Sequence, residues 1–136
     1  MALTTTQASV QRWHEMLQTA DMSILNELLA EDVVFRSPVA YQPYPGKQVV
    51  SFILTNVIQI FENFTYHREF YSEDGLNVVL EVSANVGEKK LKGIDMIQFN
   101  QQGQIIDFEV MLRPKSGLEA LAAQMGQRMA AFLPKA

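Results

Sequence analysis

The apolar positions of this chain change their main period twice, near residue 64 and again after Pro114. Before residue 64 they recur mostly at helical spacing. Val10, Trp13 and Leu17, with Met16 or Ala20 beside them, form one helical stripe, and Thr6 or Ser9 is the expected N-cap. Asp21 suits the cap of a second helix that buries Ile24, Leu25, Leu28 and Leu29. Val33, Val34 and Phe35 then read as a short strand, ended by Ser37-Pro38. The segment PVAYQPYPG (38–46) holds three prolines and a glycine, so it reads as a loop. Its Tyr41 and Tyr44 either roof a pocket or pack on the surface. A third helix is expected over 47–60, with Val49, Val50, Ile53, Leu54, Val57, Ile58 and Phe61 on its apolar side.

From Phe64 onward the period is close to two. Strands are expected at 64–72, 77–86, 90–99 and 104–113, joined at Glu73-Asp74-Gly75, at Gly87-Glu88-Lys89 and across Asn100 to Gly103. Four strands with such short connections make an antiparallel meander. Pro114 stops the last strand. Ser116 and Glu119 have the spacing of a capping box for a final helix, whose stripe is Leu118, Leu121, Ala122, Met125, Met129 and Phe132. The order is helix, helix, strand, helix, four strands, helix. That is an α+β pattern, and a strongly twisted sheet with helices on one face can curl into a cone around a cavity.

The 136 residues suit a single domain over 1–136. A net charge of −4, with eleven scattered Lys and Arg, argues against a nucleic-acid partner. The chain has no cysteine, which excludes disulfides, thiolate nucleophiles and cysteine metal sites and fits a reducing, cytoplasmic setting. No apolar run approaches the ~20 residues of a membrane helix, and the N-terminus lacks the pattern of a secretion signal. Asn63-Phe64-Thr65 is read as a chance match to a glycosylation sequon.

The order of elements, with particular residues along it, resembles the SnoaL-like group of the nuclear transport factor 2-like superfamily. The carriers are Trp13, Asp21, and the run Leu29-Ala30-Glu31-Asp32-Val33 leading into Phe35-Arg36-Ser37-Pro38. Gly46, Gly93-x-Asp95 and Gly103-Gln104-Ile105 complete them. The resemblance covers nearly the whole chain. It implies a cystatin-like fold, in which a cone-shaped curved antiparallel sheet packs against N-terminal helices with a further C-terminal helix. It also implies a mostly apolar pocket for a small apolar or aromatic ligand, frequent homodimers, and no metal or organic cofactor. Members look like polyketide cyclases, isomerases, hydrolases, dehydratases or plain binding domains, so fold alone leaves function open. An acidic cavity residue is the presumed acid–base group of the cyclases, and Asp95 best matches that position. The Tyr-plus-two-Asp set of ketosteroid isomerases and the Asp-Arg-Asp set of epoxide hydrolases are not recognisable.

Acids inside the last two strands are the chemical oddity. Asp95, Asp107 and Glu109 stand where half-buried strands favour apolar residues, and such carboxylates need pairing, solvent or a use. Strict alternation from a Phe99–Ile105 pair puts Asp95 opposite Glu109, facing inward with Met111 and Arg113. Two adjacent carboxylates in an apolar cavity resist double ionisation, so one donates while the other accepts. Asp95 and Glu109 are therefore the candidate catalytic pair. Trp13, Tyr41, Phe61, Phe99, Met111 and Arg113 are candidate pocket residues. The opposite row, Ile94, Met96, Ile106, Phe108, Val110 and Leu112, is too apolar for a wet face and reads as a homodimer interface. The alternatives are a structural ion pair of Asp95, Glu109 and Arg113, a non-catalytic ligand-binding or dimerisation domain, and a partner-binding adaptor. His14 and His67 read as boundary and surface residues, with no metal-ligand spacing.

Overall fold

A computed structural model describes residues 4–132, without the side chains of Ala131 and Phe132. Phe132, placed above in the last apolar stripe, thus lies outside the described side chains. Helix α1 (Thr5–Thr19) is followed by α2 (Met22–Leu28), β1 (Leu29–Arg36), the two-residue β2 (Tyr44–Pro45) and α3 (Lys47–Ile60). Strands β3 (Glu62–Tyr71), β4 (Asn77–Val86), β5 (Lys89–Phe99) and β6 (Ile105–Arg113) follow, and α4 (Lys115–Phe132) closes the order. No helix is long and apolar enough to cross a membrane among the described residues.

Helix starts differ from the sequence reading where a better cap exists. Thr4, not Thr6 or Ser9, caps α1: its hydroxyl accepts from the Gln7 N–H, and the Gln7 side chain accepts from the Thr4 N–H. Ser9 is buried instead, and its hydroxyl donates to the Gly103 carbonyl at 2.6 Å. That bond ties α1 to the β5–β6 turn. Asp21 caps α2 as expected, accepting from the Ser23 N–H. Helix α4 begins at Lys115, so Ser116 lies inside its first turn rather than capping it.

The six strands form one mixed sheet in the order β2-β1-β6-β5-β4-β3. Strands β3 to β6 make the expected antiparallel meander, while β1 joins β6 in parallel, a pairing the sequence pattern did not expose. The sheet curves without closing into a barrel. Its concave side and the helices enclose the core, where Met16, Leu25, Leu29, Leu80, Ile97, Phe99, Ile105 and Phe108 are almost wholly buried.

One irregularity governs the site. Phe99 pairs with Ile105, but the next pairs are Gln98–Asp107, Ile97–Phe108, Met96–Glu109 and Asp95–Val110. Strand β6 thus spends an additional residue, Ile106, where β5 spends none: a β-bulge, which reverses the face of everything after it. Gly93 permits the close approach of these strands. A Cβ placed there would run into the backbone carbonyl of Met111. Gly93→Ala is therefore expected to destabilise the fold by roughly 2–3 kcal/mol, as overpacking does, read as a lower urea midpoint at unchanged slope.

Candidate functional site

Three side chains from three elements converge on the concave side. Trp13 of α1 donates its indole N–H to the Tyr66 hydroxyl oxygen at 2.8 Å. Tyr66 of β3 donates its hydroxyl proton to Asp95 Oδ2 at 2.7 Å. An indole N–H can only donate, so accepting it leaves the Tyr66 proton free to point at Asp95. Trp13 is itself fixed by its ring contact with Phe108, with centroids 5.1 Å apart. The His14 ring meets the Tyr66 ring edge-on at 5.1 Å, and its Nε2 lies 3.7 Å from Glu69.

Asp95 is 5% exposed and lines a cavity of about 40 Å³. The other walls are aromatic and aliphatic, among them Trp13, Phe35, Leu54, Phe61, Val110 and Leu121. Among the described residues Asp95 is the one ionisable group of that lining. Burial pushes its carboxyl up to about 7, and the hydrogen bond from Tyr66 opposes that rise. Burial also holds the Tyr66 phenol well above its ordinary range, reinforced by the adjacent Asp95 charge. Asp95 thus sits poised between its two protonation states near neutral pH, the condition for efficient proton transfer.

The bulge redistributes the residues expected here. Glu109 is not beside Asp95: it pairs with Met96 on the outer face, so the two-carboxylate arrangement does not form. Met111 and Arg113 are exposed on that outer face as well. Tyr41 is 98% exposed and lines no part of the Asp95 cavity, and Phe99 is core. Trp13 and Phe61 do line it. The supposed outer row is also corrected. Phe108, Val110 and Leu112 face the cavity, Ile106 is the bulge residue, and Ile94 and Met96 alone of that row share the outer face with Glu109 and Met111.

The outer acids have other partners. Arg36 of β1 grips Asp107 through Nε and Nη2 at 3.1–3.2 Å. Glu81, 9% exposed, is held by Arg68 and approached by Lys92, which keeps its carboxyl below the usual range. Tyr66 escaped the sequence reading. It lies 29 residues from Asp95, on a strand that does not pair with β5. Among the described residues no cluster of three or more His, Asp or Glu could hold a metal ion.

A cone-like sheet roofed by helices thus encloses one buried acid in a small apolar cavity. The chain belongs to the SnoaL-like domain family, whose model matches residues 10–108. It is similar to a crystal structure of a steroid delta-isomerase from Pseudomonas aeruginosa, at 53% identity over 94% of this chain and 93% of that one, with a TM-score of 0.90. It is also similar to a bacterial protein with a cystatin-like fold from Silicibacter pomeroyi, at 36% identity over 90% and 86% of the two chains, TM-score 0.83. A Mycobacterium tuberculosis protein in complex with estradiol-17beta-hemisuccinate shares the fold at 17% identity, 82% and 100% coverage and TM-score 0.66. No curated protein matches the chain.

The buried acid leaves a signature in stability. A carboxyl that ionises near 4 in the unfolded chain and near 7 in the fold binds its proton more tightly when folded. Its contribution is fully present below about pH 4 and is lost as pH rises through 7, roughly 4 kcal/mol in all. Asp95→Asn is expected to remove this fall. Urea midpoints at pH 5 and pH 8.5 will show a smaller drop in the variant than in the parent protein.

Proposed function

We propose that the protein is a proton-transferring isomerase in which Asp95 works beside a carbonyl of a small apolar ligand. The single observation that carries this is the lone cavity carboxyl, ionising near 7 and oriented by Tyr66. Oδ2 is occupied by the Tyr66 hydroxyl, which leaves Oδ1 for the ligand. Ionised Asp95 takes a proton from the carbon next to the carbonyl, and the C–H electron pair moves into an enolate. The now neutral acid returns the proton to the far carbon of the conjugated system, so the double bond shifts and Asp95 is regenerated. The same proton removal opens an aldol cyclisation, the chemistry expected of SnoaL-like cyclases. The name of the Pseudomonas relative, a steroid delta-isomerase, supports a steroid-like ketone as substrate. A cysteine-free chain supports a cytoplasmic setting.

A β,γ-unsaturated ketosteroid, followed by the absorbance of its conjugated product, tests the reading. The value of kcat/KM should rise with pH through about 7 and then level, because the base form is required. Asp95→Asn should lower it by about 10²–10⁴-fold. Tyr66→Phe deletes a bond that lowers the Asp95 pKa, so the midpoint should move to higher pH. A flat profile in the parent protein, or full activity in Asp95→Asn, would contradict the assignment.

We also infer that two copies associate through the outer sheet face. Its apolar members include Phe70, Val79, Ile94, Met96 and Met111, of which Phe70, Met96 and Met111 are 54%, 40% and 44% exposed. A partner subunit is the simplest cover for them. Sedimentation should give a dimer at micromolar concentration and a monomer for the double variant Met96→Glu, Met111→Glu. A monomeric parent protein at high micromolar concentration removes the inference.

A further inference from the structure

The Asp95 cavity is too small for the substrate proposed for it. About 40 Å³ is space for a water or two, whereas ligand pockets occupy roughly 300–1,000 Å³. Directly beside it is a second chamber of about 290 Å³, between α3, α4 and the loop after β1. The two share one wall: Phe35, Pro38, Val57 and Leu121 line both. Leu121 is the single residue of α4 in that wall and is 2% exposed. Past the wall the second chamber is lined by Ile53 of α3 and by Ala122, Met125 and Met129 of α4. Among the described residues Ser37 and Tyr44 supply its polar side-chain atoms, and no acid, lysine, arginine or histidine lines it. Outside it, Arg128 Nη1 bonds Gln59 Oε1 at 2.6 Å and Asn56 Oδ1 at 3.2 Å, clasping α4 onto α3.

We propose that the second chamber is the subsite for the apolar body of the substrate, with Leu121 as the partition that sets how long a ligand reaches Asp95. The proposal rests on the proton-transfer reading only for which end of the ligand enters first. An elongated ligand places its carbonyl end in the Asp95 chamber and its body under α4, displacing the Leu121 side chain. The body is uncharged, because a charge moved into that lining would lose its water and gain no partner. Flexible Met125 and Met129 suit such a surface, since methionine fits irregular apolar shapes.

Two substitutions fill the chamber without touching Asp95. Ala122→Phe occupies it from α4. Gly126→Leu does so from one turn further on, where an added Cβ meets nothing within 4 Å and leucine is the better helix former. Binding is read from the fluorescence of Trp13, the chain's one tryptophan, with neutral androst-4-ene-3,17-dione as probe. Turnover is compared between a β,γ-unsaturated ketosteroid and the short ketone cyclohex-3-enone. Each variant should weaken binding of the probe at least tenfold and lower the long-to-short ratio of kcat/KM by a similar factor, with its melting temperature retained. Unchanged binding and an unchanged ratio in the folded variants would overturn the subsite. Asp95→Asn reports separately on the chemistry: retained turnover there defeats the proton-transfer reading, while the binding arm still decides the subsite.

Discussion

The extra residue in β6 is the constraint on which the rest of the site depends. Ile106 has no counterpart in β5, so the pairing slips by one between Phe99–Ile105 and Gln98–Asp107. Side chains alternate strictly along a strand, and one inserted residue therefore exchanges faces for all that follow. Phe108, Val110 and Leu112 turn inward and build an apolar wall opposite the helices. Asp107, Glu109, Met111 and Arg113 turn outward, where Arg36 meets Asp107. Without the bulge the cavity would hold the acids and the apolar row would face water. The Asn100–Gly103 turn next to it is anchored by Ser9, which couples the bulge to the start of α1 and so to Trp13.

With the other acids removed from the concave side, Asp95 is left alone among apolar walls. A buried carboxyl is unfavourable in its charged form, and the fold offers it one donor rather than a counter-ion. The indole of Trp13 commits the Tyr66 proton to Asp95, and this polar chain crosses from helix to outer strand to the centre of the sheet. The arrangement keeps the acid oriented yet close to its midpoint at neutral pH. A cationic partner would have fixed it as a carboxylate, as Arg68 does for Glu81. Stability given up at this one position is what makes the group able to exchange a proton.

Most elements were legible because each segment's apolar period matched its structure. The third helix spans Lys47–Ile60 as read, and the meander strands differ by at most two residues at their ends, whereas β1 begins four residues before Val33, at Leu29, which was read as helical, and the two-residue β2 falls in the expected loop. Helix starts moved where local caps competed, as at Thr4. The candidate site was legible only in part. Asp95 was singled out as an acid in an apolar strand, and Trp13 and Phe61 as facing aromatics, and all three line the cavity. Glu109, Met111 and Arg113 went astray together, from a single cause: a bulge leaves no periodic trace when both possible faces contain apolar residues. Tyr66 was hidden differently. Its bond to Asp95 spans β4, and the diagonal reach across a strand depends on sheet curvature rather than on spacing in sequence.

The sequence by itself determined every element but the two-residue β2, their order, the α+β class and the presence of an acid that a strand would not otherwise carry, because periodicity and local propensity act over a few residues. Only the tertiary structure decided that β1 lies parallel to β6, that Asp95 answers to Tyr66 rather than Glu109, and which side of the last strand is buried. Those choices rest on the curvature and register of the whole sheet, where one inserted residue outweighs a perfectly regular pattern. The strands 91–113 that stood out for their acids therefore place one carboxyl in the cavity, and the fold alone selects which.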